Sequence, residues 1–238
     1  YEKSLVAIQK QLRIKKKVNI FLCYTIFVLG VMAIVYRVNN NGGNFHFEEM
    51  TVNGTIFASV FALAYAVVNH IEIAKDKEFE CKALYYLRLS STVTEFIIVL
   101  VVFIGLLPFT PDSPLILRFD MAIMHLILPI LTIVSFVFHD PPIGKLKPLE
   151  RCYGLTFLFL YSVGITLCIL TGLLPQENIP YSFLEFYTRP IWYTVSYGAL
   201  IYLGGYLLSW LFSELNRKNA WIWFRGVASK AKPPKTET

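Results

Sequence analysis

Six runs of mostly apolar residues set the strongest limit on what this chain can fold into. They cover residues 18–36, 45–68, 89–107, 119–138, 153–174 and 191–212. Each run has roughly the 20 residues that an α-helix needs to cross the ~30 Å hydrocarbon core of a bilayer. The 55% of hydrophobic residues lies outside the range of a soluble domain, and the six runs hold most of the 238 residues, so we expect no separate soluble domain. We therefore predict an all-α polytopic membrane protein in which residues 1–238 form a single bundle of six transmembrane helices.

The basic residues predict how this bundle is oriented in the membrane. Nineteen of the 22 Lys and Arg residues fall in the two chain ends and in the loops that would share their side. Only Arg37, Arg118 and Arg189 fall in the three loops of the opposite side. Since cytoplasmic segments are enriched in Lys and Arg, we expect both termini in the cytoplasm. The net charge of +6 then reflects topology and attraction to anionic lipid, and it requires no nucleic-acid partner.

The chain ends and the cysteines add three further expectations. Residues 1–17 are basic and amphipathic, which predicts a surface helix that continues into the first span. Residues 229–238 are too polar to fold, which predicts a disordered tail. The four cysteines fall inside spans or on the cytoplasmic side, where disulfides do not persist. No Cys or His spacing is typical of a metal site, so we expect neither a metal nor a cofactor.

A hydroxyl group enters the membrane at the start of the second span. Asn44 is a suitable N-cap, and a helix that begins there places Thr51 about 10 Å below the outer boundary. Thr55 follows one turn deeper on the same face. This small, polar face has two interpretations. It can be a close helix–helix contact whose threonines bond to backbone carbonyls, or it can present a reactive hydroxyl.

The fourth span carries a histidine at a matching depth. If this helix begins near Phe119, His125 lies roughly 9 Å below the same boundary. A single buried histidine usually bonds to another helix, but beside a hydroxyl it can act as a general base. Asp120 would be the natural group to orient the imidazole, yet a straight helix points it about 140° away from His125. Pro129 interrupts the hydrogen-bond ladder of this helix and can alter that angle.

Two other places carry charge in or near the membrane. Glu95 lies inside the third span, where a carboxylate is either functional or bonded to a Ser or Thr of a neighbouring helix. Tyr181, Glu185 and Arg189 recur every four residues before the sixth span, which predicts a short interfacial helix on the side of Thr51. This segment can serve as a lid, as a carboxylate that orients the histidine, or as an aromatic belt with a salt bridge.

Three short stretches resemble a known family. They are Phe47-Glu48-Glu49-Met50-Thr51, Met124-His125-Leu126-Ile127-Leu128-Pro129 and Tyr181-Ser182-Phe183-Leu184-Glu185. The pattern is similar to the androgen-induced family of six-span membrane hydrolases, which cleave fatty-acid esters of hydroxy fatty acids, and to its uncharacterised bacterial relatives. The resemblance implies that Thr51 and His125 form the reactive pair.

We therefore expect an intramembrane lipid-ester hydrolase whose reaction forms an acyl-threonine intermediate. Its partners would be the bilayer and a lipid or fatty-acid ester. Asn53, Thr55 or exposed amides would supply oxyanion donors, and Asp120, Glu185 or Arg189 would support the pair. Two other hypotheses remain open: a transporter or channel with a polar pathway through Glu95, Asp120 and His125, and a non-catalytic scaffold. The sequence carries no signal for an oligomeric state.

Overall fold

The protein is a bundle of six long helices in the computed structural model. The structure describes residues 2–77, 79, 81–106, 118–181, 184–185 and 188–230, with side chains described within 9–104 and 118–226. The helices are α1 (Glu2–Asn40), α2 (Met50–Lys75), α3 (Lys82–Leu100), α4 (Phe119–His139), α5 (Pro148–Leu170) and α6 (Ile191–Lys230). Each is long and apolar enough to cross a membrane, and no strand occurs among the described residues. The predicted all-helical architecture with six candidate membrane spans is confirmed.

Three of these helices depart from regular α geometry. A π-helical turn, Val101–Leu106, continues α3. Two more, Ile123–Ile127 and Ser135–His139, lie within α4. In α5 a 3₁₀ turn spans Cys152–Leu155. A short 3₁₀ turn, Gln176–Asn178, stands between α5 and α6.

The first and last helices are much longer than the apolar runs within them. With 39 and 40 residues, each would be about 60 Å long at 1.5 Å per residue. The unbroken α1 joins the basic segment to the first span, as predicted. Residues 229 and 230, which were expected in the disordered tail, belong to α6, whereas 231–238 lie outside the described residues.

The start of α2 differs from the expectation and changes the position of Thr51. The helix begins at Met50, not near Asn44, and Glu49 is its N-cap residue. His46 adopts a positive φ of 49°, which an α-helix does not accommodate. Thr51 is therefore the second residue of α2 rather than the seventh. The expected helix start at Asn44 is wrong, and the depth calculated from it therefore loses its basis.

Helices α1 and α2 approach closely through small side chains. Ala58 and Ala62 are fully buried in a cluster with Cys23 and Ile26 of α1. A Cβ atom at Gly30 would collide with the side chain of Ser59. The small face of α2 therefore forms a close helix–helix contact, which is the structural interpretation given above for the residues beyond Thr51.

A buried polar network joins the helices at one end of the bundle. We call it the basic end, because the ion pairs Lys16–Glu72 and Arg13–Asp76 lie there. Arg88 Nε lies 3.2 Å from Asp140 Oδ2, and Asn19 donates to Asp140 Oδ1 at 2.6 Å. Arg88 is fully buried, so it is not the loop charge that the sequence suggested. The network connects α1 and α3 to the residue that follows α4.

Candidate functional site

A cavity of about 570 Å³ lies at the end of the bundle opposite the basic end, and all six helices line it. Its volume falls within the ~300–1,000 Å³ that is usual for small-molecule sites. Thr51 and His125 both line this cavity. Part of its apolar wall comes from the end of α3 and the π turn that continues it, through Ile97, Ile98, Val101 and Val102. Its charged lining residues are Arg37, Glu48, Glu49 and Glu177. The cavity therefore combines a threonine and a histidine with an amphipathic lining.

Thr51 lies in the first turn of α2, where backbone amides lack intrahelical acceptors. The Met50 amide donates to Tyr181 Oη at 3.2 Å, and the Asn53 amide donates to Glu49 O at 3.3 Å. Within the described part of the chain, the amides of Thr51 and Val52 donate to no carbonyl outside the helix. This helix end is the positive end of its dipole. It can therefore stabilise negative charge that develops beside the Thr51 hydroxyl.

Tyr181 joins the loop before α6 to the start of α2. Its hydroxyl accepts the Met50 amide proton, and its side chain lines the cavity. Burial raises the pKa of Tyr181 to about 12, so the phenol remains protonated at neutral pH. The sequence motif containing Tyr181 did not reveal this helix-capping contact.

His125 lies in the π-helical turn of α4. The Leu128 amide donates to Ile123 O, five residues back, and Pro129 follows without an N–H group. The proline therefore offers no donor to the carbonyl four residues before it, which is that of His125. A π turn rotates the residues of one helical segment relative to the other, and such turns often occur at functional sites. His125 is nearly buried, at 4% exposure, and faces the cavity.

Arg37 of α1 connects the helix that carries Thr51 to the helix that carries His125. Its Nη2 atom donates to both carboxylate oxygens of Glu49, and its Nη1 lies 3.4 Å from Asp120 Oδ2. Glu49 precedes Thr51 by two residues, and Asp120 lies in the first turn of α4. From the sequence alone, Arg37 is only one of three basic residues in the loops opposite the termini. Its position in a segment depleted of basic residues, near several carboxylates, was the available signal.

Asp120 has partners different from the one expected. Arg118 Nε and Nη2 each lie 2.6 Å from one of its carboxylate oxygens, in addition to the Arg37 contact. Asp120 is fully buried, and it is not among the residues that line the cavity. Two guanidinium groups therefore hold this carboxylate. It fixes the start of α4, and any influence on His125 passes through the helix.

The remaining candidate residues also lie outside the cavity lining. The Asn53 side chain donates to Phe47 O at 2.5 Å and to Glu49 O at 3.0 Å. Thr55 is fully buried one turn below Thr51. Glu185 and Arg189 form an ion pair at 3.5 Å, which agrees with the aromatic belt and salt bridge considered for that loop. The structure thus brings Thr51 and His125 to one cavity and leaves Asn53, Thr55, Glu185 and Arg189 outside it.

Glu95 is fully buried in the middle of α3, away from the cavity lining. Neither of its carboxylate oxygens has a hydrogen-bond partner among the described residues. The described contacts of Asp120 are with two arginines rather than with Glu95. The polar pathway on which the transport hypothesis depends therefore has no direct link between these two carboxylates, and transport stays a prediction.

The chain matches no protein-family model, no curated protein and no solved structure. Among the described residues, no group of three or more His, Cys, Asp or Glu side chains could hold a metal ion. The functional argument therefore rests on the residues that line the cavity.

Proposed function

We propose that this membrane protein hydrolyses lipid esters, with Thr51 as the nucleophile and His125 as the general base. The observation that carries the proposal is the shared cavity, which brings together two side chains from helices distant in sequence. A hydroxyl becomes an effective nucleophile when an adjacent base accepts its proton. The resemblance of three short motifs to the androgen-induced hydrolase family supports the same pair.

The reaction would proceed in two stages. The Thr51 Oγ attacks the ester carbonyl carbon while the His125 imidazole takes the hydroxyl proton. The tetrahedral intermediate expels the alcohol, which receives that proton from the imidazolium, and an acyl-threonine remains. A water molecule then loses a proton to His125 and attacks the acyl carbon. The fatty acid leaves, and the proton returns to Thr51.

The start of α2 would supply the oxyanion donors. The Thr51 and Val52 amides lie at the positive end of the helix, where a developing negative charge is favoured. Tyr181 lines the same cavity, and its hydroxyl accepts the Met50 amide proton at this helix end. We therefore propose the Thr51 and Val52 amides as the oxyanion donors, because the side chains of Asn53 and Thr55 lie outside the cavity lining.

The lining of the cavity favours a substrate with a long hydrocarbon part. Ile97, Ile98 and Val102 offer an apolar wall that would bury methylene groups at ~0.8 kcal/mol each. The charged groups around Arg37 suit the polar part of the same molecule. A fatty-acid ester satisfies both requirements, and it would reach the site from the surrounding bilayer.

The pair is tested with purified protein in detergent, using a fluorophosphonate probe and a 4-nitrophenyl ester of a long-chain acid. We expect Thr51→Ala and His125→Ala each to abolish labelling and to lower hydrolysis by about a hundredfold or more, the scale of a lost nucleophile or base. Thr51→Ser should retain both activities, because it keeps the hydroxyl.

Two substitutions serve as matched controls. Thr171→Ala removes an exposed hydroxyl that bonds only to carbonyls of its own helix, and His70→Ala removes an exposed imidazole outside the cavity lining. Both should behave like the unaltered protein. Full labelling and hydrolysis by Thr51→Ala would refute the proposal.

A further inference from the structure

A second, shallower depression of about 350 Å³ lies on the side of the bundle, between α2 and α5. We call it the lateral groove; it is lined by Phe47, Asn53, Phe57, Phe157, Leu160, Tyr161, Gly164, Ile165 and Cys168. Leu160, which lines the groove, is 57% exposed. The groove therefore opens on the outer surface of the bundle, within the segments that cross the membrane.

The lateral groove and the cavity that holds Thr51 and His125 are adjacent. Tyr161 and Ile165 line both of them. The Tyr161 hydroxyl donates to Glu48 O at 2.6 Å, so this side chain bridges from α5 to the segment just before α2. Its ring also stacks on that of Phe157, with centroids 6.0 Å apart. Tyr161 thus stands at the boundary between the groove and the cavity.

The chemistry of the groove fits a hydrocarbon chain. Asn53 carries the only side-chain amide among the described lining residues, and its nitrogen already donates to two backbone carbonyls. Aromatic and aliphatic side chains supply most of the remaining surface. The groove lies between two candidate membrane spans, so a lipid acyl chain is the ligand that fits both its lining and its location.

We propose that the lateral groove docks the acyl chain of the lipid ester, and that Tyr161 gates the passage of the ester into the cavity. This inference rests on the proposed hydrolase function and adds the route and the recognition element for the substrate. An ester whose chain lies in the groove would pass Tyr161 and Ile165, which line both depressions, to approach Thr51. Recognition through the groove should therefore depend on chain length.

Gly164 provides a direct test, because a Cβ atom at this position would meet nothing within 4 Å. Gly164→Leu should fill the groove without displacing a neighbour. We expect it to lower kcat/KM for a 4-nitrophenyl palmitate by about tenfold, the effect of losing two methylene contacts. Hydrolysis of the acetate ester should be unchanged. Gly204→Leu on α6 is the matched control, since its Cβ atom also meets nothing within 4 Å and it lines neither depression.

A binding experiment separates this proposal from the proposed chemistry. Thr51→Ala protein is labelled with a long-chain ester that carries a photoreactive diazirine on its acyl chain, and the modified peptides are identified by mass spectrometry. Docking would be supported if the probe modified groove residues and the Gly164→Leu substitution abolished that modification. This result would hold even if the unaltered protein hydrolysed no ester. Equal losses for palmitate and acetate, equal losses in Gly204→Leu, or photolabelling outside the groove would each overturn the docking proposal.

Discussion

At the scale of single residues, Arg37 shows what a sequence count does not reveal. It is 5% exposed and interacts with Glu49, just before α2, and with Asp120, in the first turn of α4. A count of basic residues can assign Arg37 to a loop. Which carboxylates the Arg37 guanidinium pairs with depends on where α2 and α4 begin. The sequence singled out Thr51 and His125 through their polar groups within apolar spans and through the family resemblance. It did not predict the residue between their helices, because an arginine near a span end has many accessible partners.

Arg37→Met should destabilise the protein strongly, because it leaves the Glu49 carboxylate without its described cationic partner. Loss of one partner of a buried ion pair typically costs about 3–5 kcal/mol. We expect a lower Tm in detergent and weaker fluorophosphonate labelling. Arg13→Met is the control, since Arg13 and its partner Asp76 are exposed and such pairs contribute little. Adding Glu49→Gln to Arg37→Met should restore part of the Tm. An Arg37→Met variant as stable as Arg13→Met would contradict this account.

At the scale of helices, the sequence predicted the existence of each span better than its ends. The fourth run, 119–138, matches α4 closely because Arg118 and Asp140 flank it. The second run began too early, since residues 45–49 are held by turns and by the Arg37 contact rather than by a helix. Such tertiary contacts determine helix ends and cannot be read from hydropathy. Pro129 correctly indicated an interruption near His125, but not its π-helical form.

The π-helical turn of α4 should be required for the position of His125. Pro129→Ala supplies an N–H group that can bond to the His125 carbonyl and so restores a regular ladder. A shift of one residue in that ladder rotates side chains by roughly 100°, which would turn His125 from the cavity. We expect labelling and hydrolysis to fall at least about tenfold, with the Tm unchanged or raised. Pro148→Ala is the control, because a proline in the first turn of a helix breaks no hydrogen bond. Unaltered hydrolysis by Pro129→Ala would show that the turn is dispensable.

At the scale of the whole molecule, the two ends of the bundle differ in construction. Buried polar contacts through Arg88, Asp140 and Asn216 close the basic end. At the opposite end, all six helices contribute to an open cavity. Apolar run lengths sufficed to predict the number of helices. They could not predict the cavity, which depends on how six separate helices pack.

The excess of basic residues at one end also predicts the orientation of the whole bundle. If both termini are cytoplasmic, Cys81 and Cys152, which are exposed and lie in or beside basic loops, should react with a membrane-impermeant maleimide only after the cells are permeabilised. Asn44→Cys places a thiol at an exposed position in the loop between α1 and α2, and it should react in intact cells. The opposite orientation would follow if the unaltered protein were labelled in intact cells and the double variant Cys81→Ser, Cys152→Ser were not. The Thr51 cavity would then open toward the cytoplasm, and its ester substrate would come from the cytoplasmic leaflet.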